Sequence, residues 1–418
     1  MKTLAAYTLG CKVNSYDTEA IVKLFTRRGY QTVDFDGIAD VYIINTCTVT
    51  NLSDKKSRQM IRRCKKNNPG GIVVVMGCYA QVAADKVKGI DGVNIIIGTK
   101  DRKNIVDIVE SYKSDMPVLD CVTKLDDDEA FENFSVSSFE SKTRAFLKVQ
   151  DGCDRFCTYC IIPYARGAVR SRQSEDVISE ARRLAENGFK EIVLAGIHVA
   201  SYGKDLKNAD LLKLVELIHE IDGIKRIRLS SIDPAAVDAR FANTLSRLPK
   251  VCDHFHLSLQ SGCDKTLKAM GRRYTKEQYA EAVLLLRDSF KDVALTTDII
   301  SGFPGESDDD FLESYEFAEK IGFSKIHGFS YSPREGTKAA DLENQIPNNV
   351  KEERNRKITE LSDKLTCQFR NKFNGRKMDV LYETVVDGGT YVGYTTNYIK
   401  VEAVSDIDLV NEIKEAWL

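Results

Sequence analysis

The chain has 418 residues, of which 43% are hydrophobic and 29% are charged. This composition excludes the disordered and fibrous classes, and the length predicts about three domains. Sixty Lys and Arg residues nearly balance 62 Asp and Glu residues, giving a formal charge of −2, so any basic surface for nucleic acid must be local.

Neither a membrane span nor a signal peptide is predicted. No apolar run approaches the length of about 20 residues that a span needs, and the first residues lack a signal-peptide core. We therefore expect a cytoplasmic protein without membrane contact. Eleven cysteines are an odd number, which in a reducing compartment points to metal ligation or redox chemistry before disulfides.

The first part of the chain predicts a small parallel-sheet α/β domain over residues 1–114, because short apolar runs alternate with helix-period segments. The predicted strands are Thr3–Leu9, Gln31–Phe35, Val41–Asn45, Ile72–Met76 and Asn94–Ile97. The predicted helices are Tyr16–Arg28, Ser53–Lys66 and Arg102–Tyr112. An acidic, Ser-rich stretch without periodicity follows, and we interpret residues 115–141 as a linker.

A second series of six strand-helix units predicts a barrel or partial barrel over residues 142–370, with its chemistry at the carboxyl ends of the strands. Its strands are predicted at Ala145–Gln150, Glu191–Ala195, Arg226–Ser230, His254–Leu259, Ala294–Ile300 and Lys325–Tyr331. Its helices are predicted at Glu175–Glu186, Asp210–Ile221, Ala235–Arg247, Lys276–Phe290, Asp308–Lys320 and Val350–Phe373.

The remaining residues, 371–418, change to short β-branched and aromatic runs separated by Gly and Asn, which predicts a small all-β barrel. The predicted strands are Met378–Val385, Tyr391–Tyr394 and Tyr398–Val404.

Three cysteines lie close together at the start of the second series. Cys153, Cys157 and Cys160 stand at offsets zero, four and seven, and roughly 0.008 such triplets are expected by chance in this chain. A loop of this kind can hold three irons of a [4Fe–4S] cluster and leave one iron open for a substrate or cofactor. The alternative is a zinc knuckle, but zinc sites normally close with a fourth ligand, and no further Cys or His lies nearby.

Three more cysteines share one structural position in the first domain. Cys11, Cys47 and Cys78 each lie just beyond the carboxyl end of a predicted strand. Loops that leave neighbouring strand ends converge on one crevice, so we predict a second three-cysteine cluster, again with an open iron. The alternative is three unrelated buried cysteines that act as small hydrophobic residues.

The spacing of Cys153, Cys157 and Cys160 resembles that of the radical S-adenosylmethionine (radical SAM) superfamily, with Tyr159 as the aromatic residue before the third cysteine. The resemblance implies that S-adenosylmethionine (SAM) binds the open iron and is cleaved to a 5′-deoxyadenosyl radical.

Over essentially the whole chain, the sequence resembles the methylthiotransferase family, which implies a central radical SAM barrel and a C-terminal RNA-binding β-barrel known as a TRAM module. The matching segments are Thr8–Asn14, Asn45–Val49, Gly77–Gln81, Asp151–Gly167, Leu229–Pro234, Ser258–Gly262, Asp298–Glu306 and Gly393–Tyr398.

Three segments look most like the MtaB-like branch: Gly196–His198, Pro163–Gly167 and Tyr331–Thr337. This resemblance implies methylthiolation of carbon 2 of N6-threonylcarbamoyladenosine beside the anticodon of tRNA, with two SAM molecules used per product. Alternatives are a methylthiotransferase that acts on isopentenyladenosine in tRNA or on a ribosomal protein side chain, and a non-catalytic iron–sulfur RNA-binding protein.

The resemblance also assigns roles to individual residues. It implies that Cys153, Cys157 and Cys160 hold the catalytic radical cluster and that Cys11, Cys47 and Cys78 hold the second, sulfur-presenting cluster. SAM contacts are expected at Tyr159 and, at the strand ends of the barrel, at Gly196, Ser231, Gln260 and Asp298. The implied partners are the anticodon stem-loop of tRNA and an electron donor such as flavodoxin or ferredoxin, with no role for DNA.

Local charge predicts where RNA binds. Segment Ser53–Lys66 carries seven Lys and Arg residues against one Asp, so we expect its helix to contact phosphates; the alternative is an ordinary solvated face. Arg166, Arg170 and Arg172 are candidates for holding the anticodon loop or SAM, or for surface salt bridges. The tail from residue 371 has five basic and eight acidic residues, which is a poor footprint for RNA, although its tyrosines could stack on bases.

Overall fold

The computed structural model describes residues 1–126, 130–134 and 143–418. The predicted linker therefore lies partly outside the described residues. The described residues form two compact units. The first contains those of 1–137, 148–172 and 332–337, and the second contains those of 138–147, 173–331 and 338–418. The four-part division at residues 114, 141 and 370 stays a prediction.

The secondary structure alternates strands and helices up to the C-terminal sheet. The strands are β1 Thr3–Thr8, β2 Gln31–Thr32, β3 Val41–Thr46, β4 Ile72–Gly77, β5 Ile95–Ile97, β6 Leu119–Asp120, β7 Arg144–Lys148, β8 Gln150–Asp151, β9 Arg170–Ser171, β10 Glu191–Ala195, β11 Arg226–Leu229, β12 His254–His256, β13 Ala294–Ser301, β14 Lys325–Ser330, β15 Lys377–Val386, β16 Thr390–Thr395, β17 Lys400–Val404 and β18 Ile413–Trp417. The helices are α1 Lys12–Arg27, α2 Asn51–Asn67, α3 Cys78–Val82, α4 Ala84–Lys88, α5 Ile105–Ser111, α6 Ile162–Arg166, α7 Ser174–Glu186, α8 Leu211–His219, α9 Ala239–Ser246, α10 Asp264–Ala269, α11 Lys276–Ser289, α12 Asp308–Ile321 and α13 Asn348–Asn371.

The first unit is built on a parallel sheet with the strand order β2-β1-β3-β4-β5-β6. Every residue of β3 is buried, as are all but the first of β4, as expected for parallel strands that are covered on both faces. Tyr42, Ile44 and Val75 belong to the core, which also includes Ile61 of α2. This confirms the predicted N-terminal parallel-sheet domain.

In the second unit, six strands follow the order predicted for a partial barrel. Strand β10 lies between β7 and β11, and β13 lies between β12 and β14. The two groups are linked by isolated parallel bridges, Ile227 to Val251 and Ile232 to Leu257. Each predicted strand of this series coincides with an observed strand, with the largest difference in β12, which ends at His256 instead of Leu259.

The C-terminal residues form an antiparallel sheet in the order β17-β16-β15-β18. Val380, Tyr382 and Val401 lie in its core. The predicted all-β tail is confirmed, but the sheet is an open half-barrel: among the described residues its edge strands, β17 and β18, do not pair with each other.

Within the described part of the chain, none of the helices is both long enough and apolar enough to cross a membrane.

Candidate metal centres

The first three cysteines lie at the ends of three adjacent strands. Cys11 follows β1 and is the N-cap of α1, Cys47 follows β3 directly, and Cys78 follows β4 as the first residue of α3. Strands β1, β3 and β4 are neighbours in the sheet. The predicted convergence of Cys11, Cys47 and Cys78 on one edge therefore rests on the order of the strands.

Buried polar side chains hydrogen-bond the ends of β1, β3 and β4 to one another. The Asn14 amide donates to the carbonyl oxygens of Leu9 (2.7 Å) and Thr46 (3.1 Å), which precede the segments of Cys11 and Cys47. The Thr46 hydroxyl donates to the Met76 carbonyl (2.6 Å), just before the third cysteine. These bonds fix the three loops relative to one another.

The thiols of this group lie close enough to influence one another. A β-carbon added at Gly10, whose φ is +103°, would lie 2.9 Å from Cys47 Sγ. Burial, the Cys78 thiol and the Cys11 thiol raise the pKa of Cys47 to about 11. Burial likewise raises the pKa of Cys78, with a further contribution from Cys11. Clustered thiols of this kind become thiolates when a metal supplies positive charge.

The chemistry of the donor set fits an iron–sulfur cluster, because cysteine thiolates are the ligands of its irons. Among the described residues, no three Cys, His, Asp or Glu side chains are placed to share one metal ion. A cubane with one open iron requires three thiolates, one for each of its other irons. Three mutually interacting thiols at converging strand ends meet that requirement.

The second three cysteines lie in the loop between β8 and α6, which belongs to the same compact unit. The Cys153 N–H donates to the Gly167 carbonyl (3.0 Å), and the Cys160 N–H donates to the Cys157 carbonyl (2.9 Å). Burial raises the pKa of Cys153, and the Cys157 thiol adds to that increase. Backbone bonds thus hold Cys153 beside Gly167 and Cys160 beside Cys157, and the assignment of the three cysteines to one cluster stays a prediction.

Two residues of this loop adopt left-handed backbone conformations. Gly152 has φ +74°, and a β-carbon there would lie 1.7 Å from the Ala168 carbonyl oxygen, so the position admits only glycine. Phe156 has φ +47° and an exposed side chain that packs edge-on against Tyr164 at 5.7 Å. Non-glycine residues in this region are uncommon and mark functional or strained loops.

A buried ionic network connects the segments that carry the two cysteine groups. Arg166 on α6 lies 3.0 Å from carboxylate oxygens of both Asp17 and Asp151. Lys148 pairs with the same two carboxylates at 2.8 and 2.6 Å, and Arg102 pairs with Asp17 at 2.6 Å.

The charges in this network determine its protonation. Burial by itself would raise the pKa of Asp17, but Arg102, Lys148 and Arg166 outweigh it and hold that pKa well below its usual range. Burial would also raise the pKa of Asp151, and Arg166 and Lys148 lower it below its usual range. Both carboxylates are therefore ionised, and they compensate the buried cations.

Arg166 also contacts a cysteine. Its Nε donates to Cys78 Sγ at 3.3 Å, and its terminal nitrogen donates to Asn14 Oδ1 at 2.5 Å. Arg166, Arg170 and Arg172 are all buried, which makes phosphate contact unsuitable for them. The sequence alone does not indicate that Asp17 pairs with Arg166, because Asp17 lies almost 150 residues earlier in the chain.

Of the four candidate SAM residues of the second unit, Gly196 and Ser231 lie just beyond strand ends, whereas Asp298 lies in the middle of its strand and Gln260 lies four residues beyond β12. Gly196 follows β10, Ser231 follows β11, and Asp298 lies on β13. Gln260 has φ +70°, and its backbone bridges to β13: its N–H donates to the Asp298 carbonyl at 2.8 Å. The Asp298 carboxylate lies 3.3 Å from His256 Nε2.

Tyr159, the fifth candidate, lies in the first unit and is partly buried. Gly196, Ser231, Gln260 and Asp298 thus lie on or after successive strands of the second unit. Their contact with SAM remains a prediction.

Helix α2 presents a basic surface. Lys55, Lys56, Arg62 and Lys66 are exposed. The helix begins with Thr50 as N-cap, whose hydroxyl accepts from the Ser53 N–H (3.2 Å). In contrast, the tyrosines of the C-terminal sheet are engaged within the protein: Tyr398 stacks on Tyr394 at 4.9 Å and on His254 at 4.8 Å.

Two family models match the chain, one over the segment of each cysteine group. A model of the radical SAM superfamily matches residues 147–318, and a model described as uncharacterized protein family UPF0004 matches residues 3–98. The chain is 42% identical to the threonylcarbamoyladenosine tRNA methylthiotransferase MtaB of Bacillus subtilis (strain 168), over 99% of this chain and 93% of that protein. The chain belongs to the MtaB-like methylthiotransferase family of radical SAM enzymes.

Other relatives extend this assignment. A protein of the same name from Aquifex aeolicus (strain VF5) is 39% identical, over 96% of each chain. A tRNA-2-methylthio-N(6)-dimethylallyladenosine synthase from Thermoanaerobacter sp. (strain X514) is 35% identical, over 97% of this chain and 88% of that protein. Membership in the MtaB-like family confirms the predicted cofactors, SAM and [4Fe–4S] clusters.

Solved structures agree on the fold. The radical SAM methyltransferase TsrM from Kitasatospora setae, with cobalamin and a [4Fe–4S] cluster bound, aligns with a TM-score of 0.59 at 15% identity, covering 80% of this chain and 77% of its own. The cobalamin-dependent radical enzyme OxsB, with aqua-cobalamin and SAM bound, aligns with a TM-score of 0.52 at 15% identity, covering 89% of this chain and 56% of its own. At these identities the likeness concerns the fold alone.

Proposed function

We propose that this protein adds a methylthio group to carbon 2 of N6-threonylcarbamoyladenosine beside the anticodon of tRNA. The observation that carries this proposal is the pairing, in one compact unit, of a loop-borne cysteine group with a second cysteine group assembled at three strand ends. Relatives at 42% and 39% identity over nearly the full chain carry the corresponding name.

Cys153, Cys157 and Cys160 hold the cluster that binds SAM in this proposal. When bound, the cluster and SAM supply the radical chemistry that activates an otherwise unreactive aromatic carbon. We assign contacts with SAM to Tyr159, Gly196, Ser231, Gln260 and Asp298, as the family resemblance implies.

Cys11, Cys47 and Cys78 hold the second cluster, which presents the sulfur. The burial of two of them supports this role, because Cys47 and Cys78 are nearly inaccessible to solvent, whereas Cys11 is exposed, and a sulfur held beside the buried pair is protected from water. Two molecules of SAM are consumed per product, one as methyl donor and one as radical source.

The tRNA binds through phosphate contacts with the exposed lysines and arginines of α2, which begins only four residues after Cys47. The anticodon stem-loop is thereby held beside the sulfur-presenting group. A reduced flavodoxin or ferredoxin supplies the electrons. Because its substrate is tRNA, we place the enzyme in the cytoplasm.

Mass spectrometry of tRNA nucleosides from a deletion strain tests the proposed substrate. We expect the methylthio form of threonylcarbamoyladenosine to disappear and the unmodified threonylcarbamoyladenosine to accumulate. Loss of the methylthio form of isopentenyladenosine instead would assign the other tRNA substrate, and an unchanged tRNA profile would remove the proposal. Anaerobic reconstitution should give about eight irons per chain, four for each cluster.

A further inference from the structure

Arg166 is the point at which the two cysteine-bearing segments touch. It lies six residues after Cys160 on α6, and its side chain is fully buried. Its Nε donates to Cys78 Sγ at 3.3 Å. A residue that belongs to the radical-cluster segment thus provides a cationic hydrogen-bond donor to a thiol of the other group.

The surrounding side chains fix the direction of this guanidinium. One terminal nitrogen lies 3.0 Å from Asp17 Oδ2 and 3.0 Å from Asp151 Oδ2, and the other lies 2.5 Å from Asn14 Oδ1. Because a guanidinium is planar and its donors form a rigid fork, these acceptors leave Nε directed at Cys78. The two carboxylates also offset the cost of burying the positive charge.

The three thiols of the group therefore have different surroundings. Cys11 is exposed. The Cys47 thiol is hydrogen-bonded to two neutral groups, the backbone N–H of Val49 and the Ser53 hydroxyl. Cys78 is met by a charged donor. Hydrogen bonds to the sulfurs are among the features that set the potential of an iron–sulfur cluster, because a donor withdraws electron density from the thiolate and stabilises the reduced state.

We propose that Arg166 is a positioning residue that orients the Cys78 thiolate and, through its hydrogen bond to that sulfur, makes the N-terminal cluster easier to reduce. This inference rests on the proposed function, since it requires a cluster at Cys11, Cys47 and Cys78. It adds that the segment of the radical cluster helps to set the redox properties of its partner.

The test uses the full chain with Cys157→Ala, so that the N-terminal cluster is observed alone. After anaerobic reconstitution, its midpoint potential is measured by a reductive titration followed by electron paramagnetic resonance. We expect Arg166→Gln and Arg166→Lys both to shift the midpoint to more negative values and to change the spectrum, because neither side chain keeps the fork that reaches Sγ.

Arg102→Gln is the matched control. Arg102 is equally buried and pairs with the same Asp17 carboxylate, but its other contacts are with the Glu132 carboxylate and the Phe134 ring. We expect the midpoint potential of Arg102→Gln to match that of the Cys157→Ala parent.

Loss of the cluster from both Arg166 variants would also support a role in holding Cys78, provided that Arg102→Gln keeps as much iron as the parent.

Two results would overturn the proposal: an unchanged midpoint and spectrum in the Arg166 variants, or an equal change or loss of iron in Arg102→Gln, which would make the network purely structural. Absence of the second cluster, on which the proposed function depends, looks different, because the Cys157→Ala parent itself would then bind no iron.

Discussion

Cys153, Cys157 and Cys160 lie within one short loop, whereas Cys11, Cys47 and Cys78 come from three strand ends spread from residue 11 to residue 78. In the first group, the backbone N–H groups of Cys153 and Cys160 donate to the nearby carbonyls of Gly167 and Cys157. The second depends on the order of strands in a sheet and on Asn14 and Thr46, which tie those strand ends together. The comparison teaches that one cluster is encoded locally and the other by tertiary structure.

The largest effect on SAM cleavage is expected from removing a ligand of the local group, as we call Cys153, Cys157 and Cys160. Cys157→Ala should reduce SAM cleavage to background, because the cluster that binds SAM loses one of three ligands. Iron after reconstitution should fall from about eight to about four per chain. Cleavage is followed by chromatography of methionine and 5′-deoxyadenosine. The control is Cys121→Ala, which removes a partly buried cysteine outside both groups; cleavage retained by Cys157→Ala would refute the assignment.

Removing a ligand of the assembled group, as we call Cys11, Cys47 and Cys78, should stop sulfur insertion and leave SAM cleavage intact. Cys47→Ala should still cleave SAM but form no methylthiolated nucleoside, since the group that presents sulfur is lost. Both are measured in one assay, SAM cleavage by chromatography and the tRNA product by nucleoside mass spectrometry. Sulfur insertion by this variant would contradict the division of labour between the two groups.

The contrast between the groups also explains what the sequence could predict. The spacing of Cys153, Cys157 and Cys160 is visible in eight consecutive residues. The convergence of Cys11, Cys47 and Cys78 could be predicted only because the strands that precede them could be predicted. The observed strands β1, β3 and β4 lie within one residue of the predicted ones. Strand β18, with the sequence Ile-Lys-Glu-Ala-Trp, was missed because its exposed, charged edge lacks a strong apolar alternation.

Side-chain partners that are distant along the chain could not be predicted. Arg166 was a candidate for RNA or SAM contact, but it is buried against Asp17 and Cys78. Asn14 and Thr46 lay inside the family motifs without an assigned role, and the structure shows them bonded to neighbouring strand ends. Periodicity reports which face of an element is apolar, and it carries no information on which polar groups meet across a core.

A steric substitution sharpens the comparison. Gly10→Ala should disturb the assembled group alone, because the new methyl group would lie 2.8 Å from Cys47 Cβ and 2.9 Å from its Sγ. We expect the loss of up to about four irons per chain, with SAM cleavage retained, and about 1–3 kcal/mol of backbone strain.

Gly29→Ala is the matched control for this strain. Gly29 has a similar φ of +93°, but a β-carbon there meets nothing within 4 Å. It should cost similar stability in thermal unfolding and keep all its iron. Gly152→Ala, in the local group, should have the opposite selectivity and lose SAM cleavage. Equal iron loss from Gly10→Ala and Gly29→Ala would show that backbone strain, and not contact with Cys47, is responsible.

The smallest effect concerns the delivery of tRNA, which we assign to the side of the assembled group. Lys55→Ala with Lys56→Ala should weaken binding of an anticodon stem-loop by roughly tenfold, about 1.4 kcal/mol, while SAM cleavage without RNA is unchanged. Each lost phosphate contact should also reduce the salt dependence of binding by about 0.7 in the logarithmic slope. Fluorescence anisotropy at several salt concentrations measures both quantities.

The control is Lys414→Ala, which removes an exposed lysine of the acidic C-terminal sheet. This substitution should leave the affinity and the salt slope unchanged. The reverse pattern would move the RNA-binding surface from α2 to that sheet and would separate tRNA delivery from the sulfur-presenting cysteines.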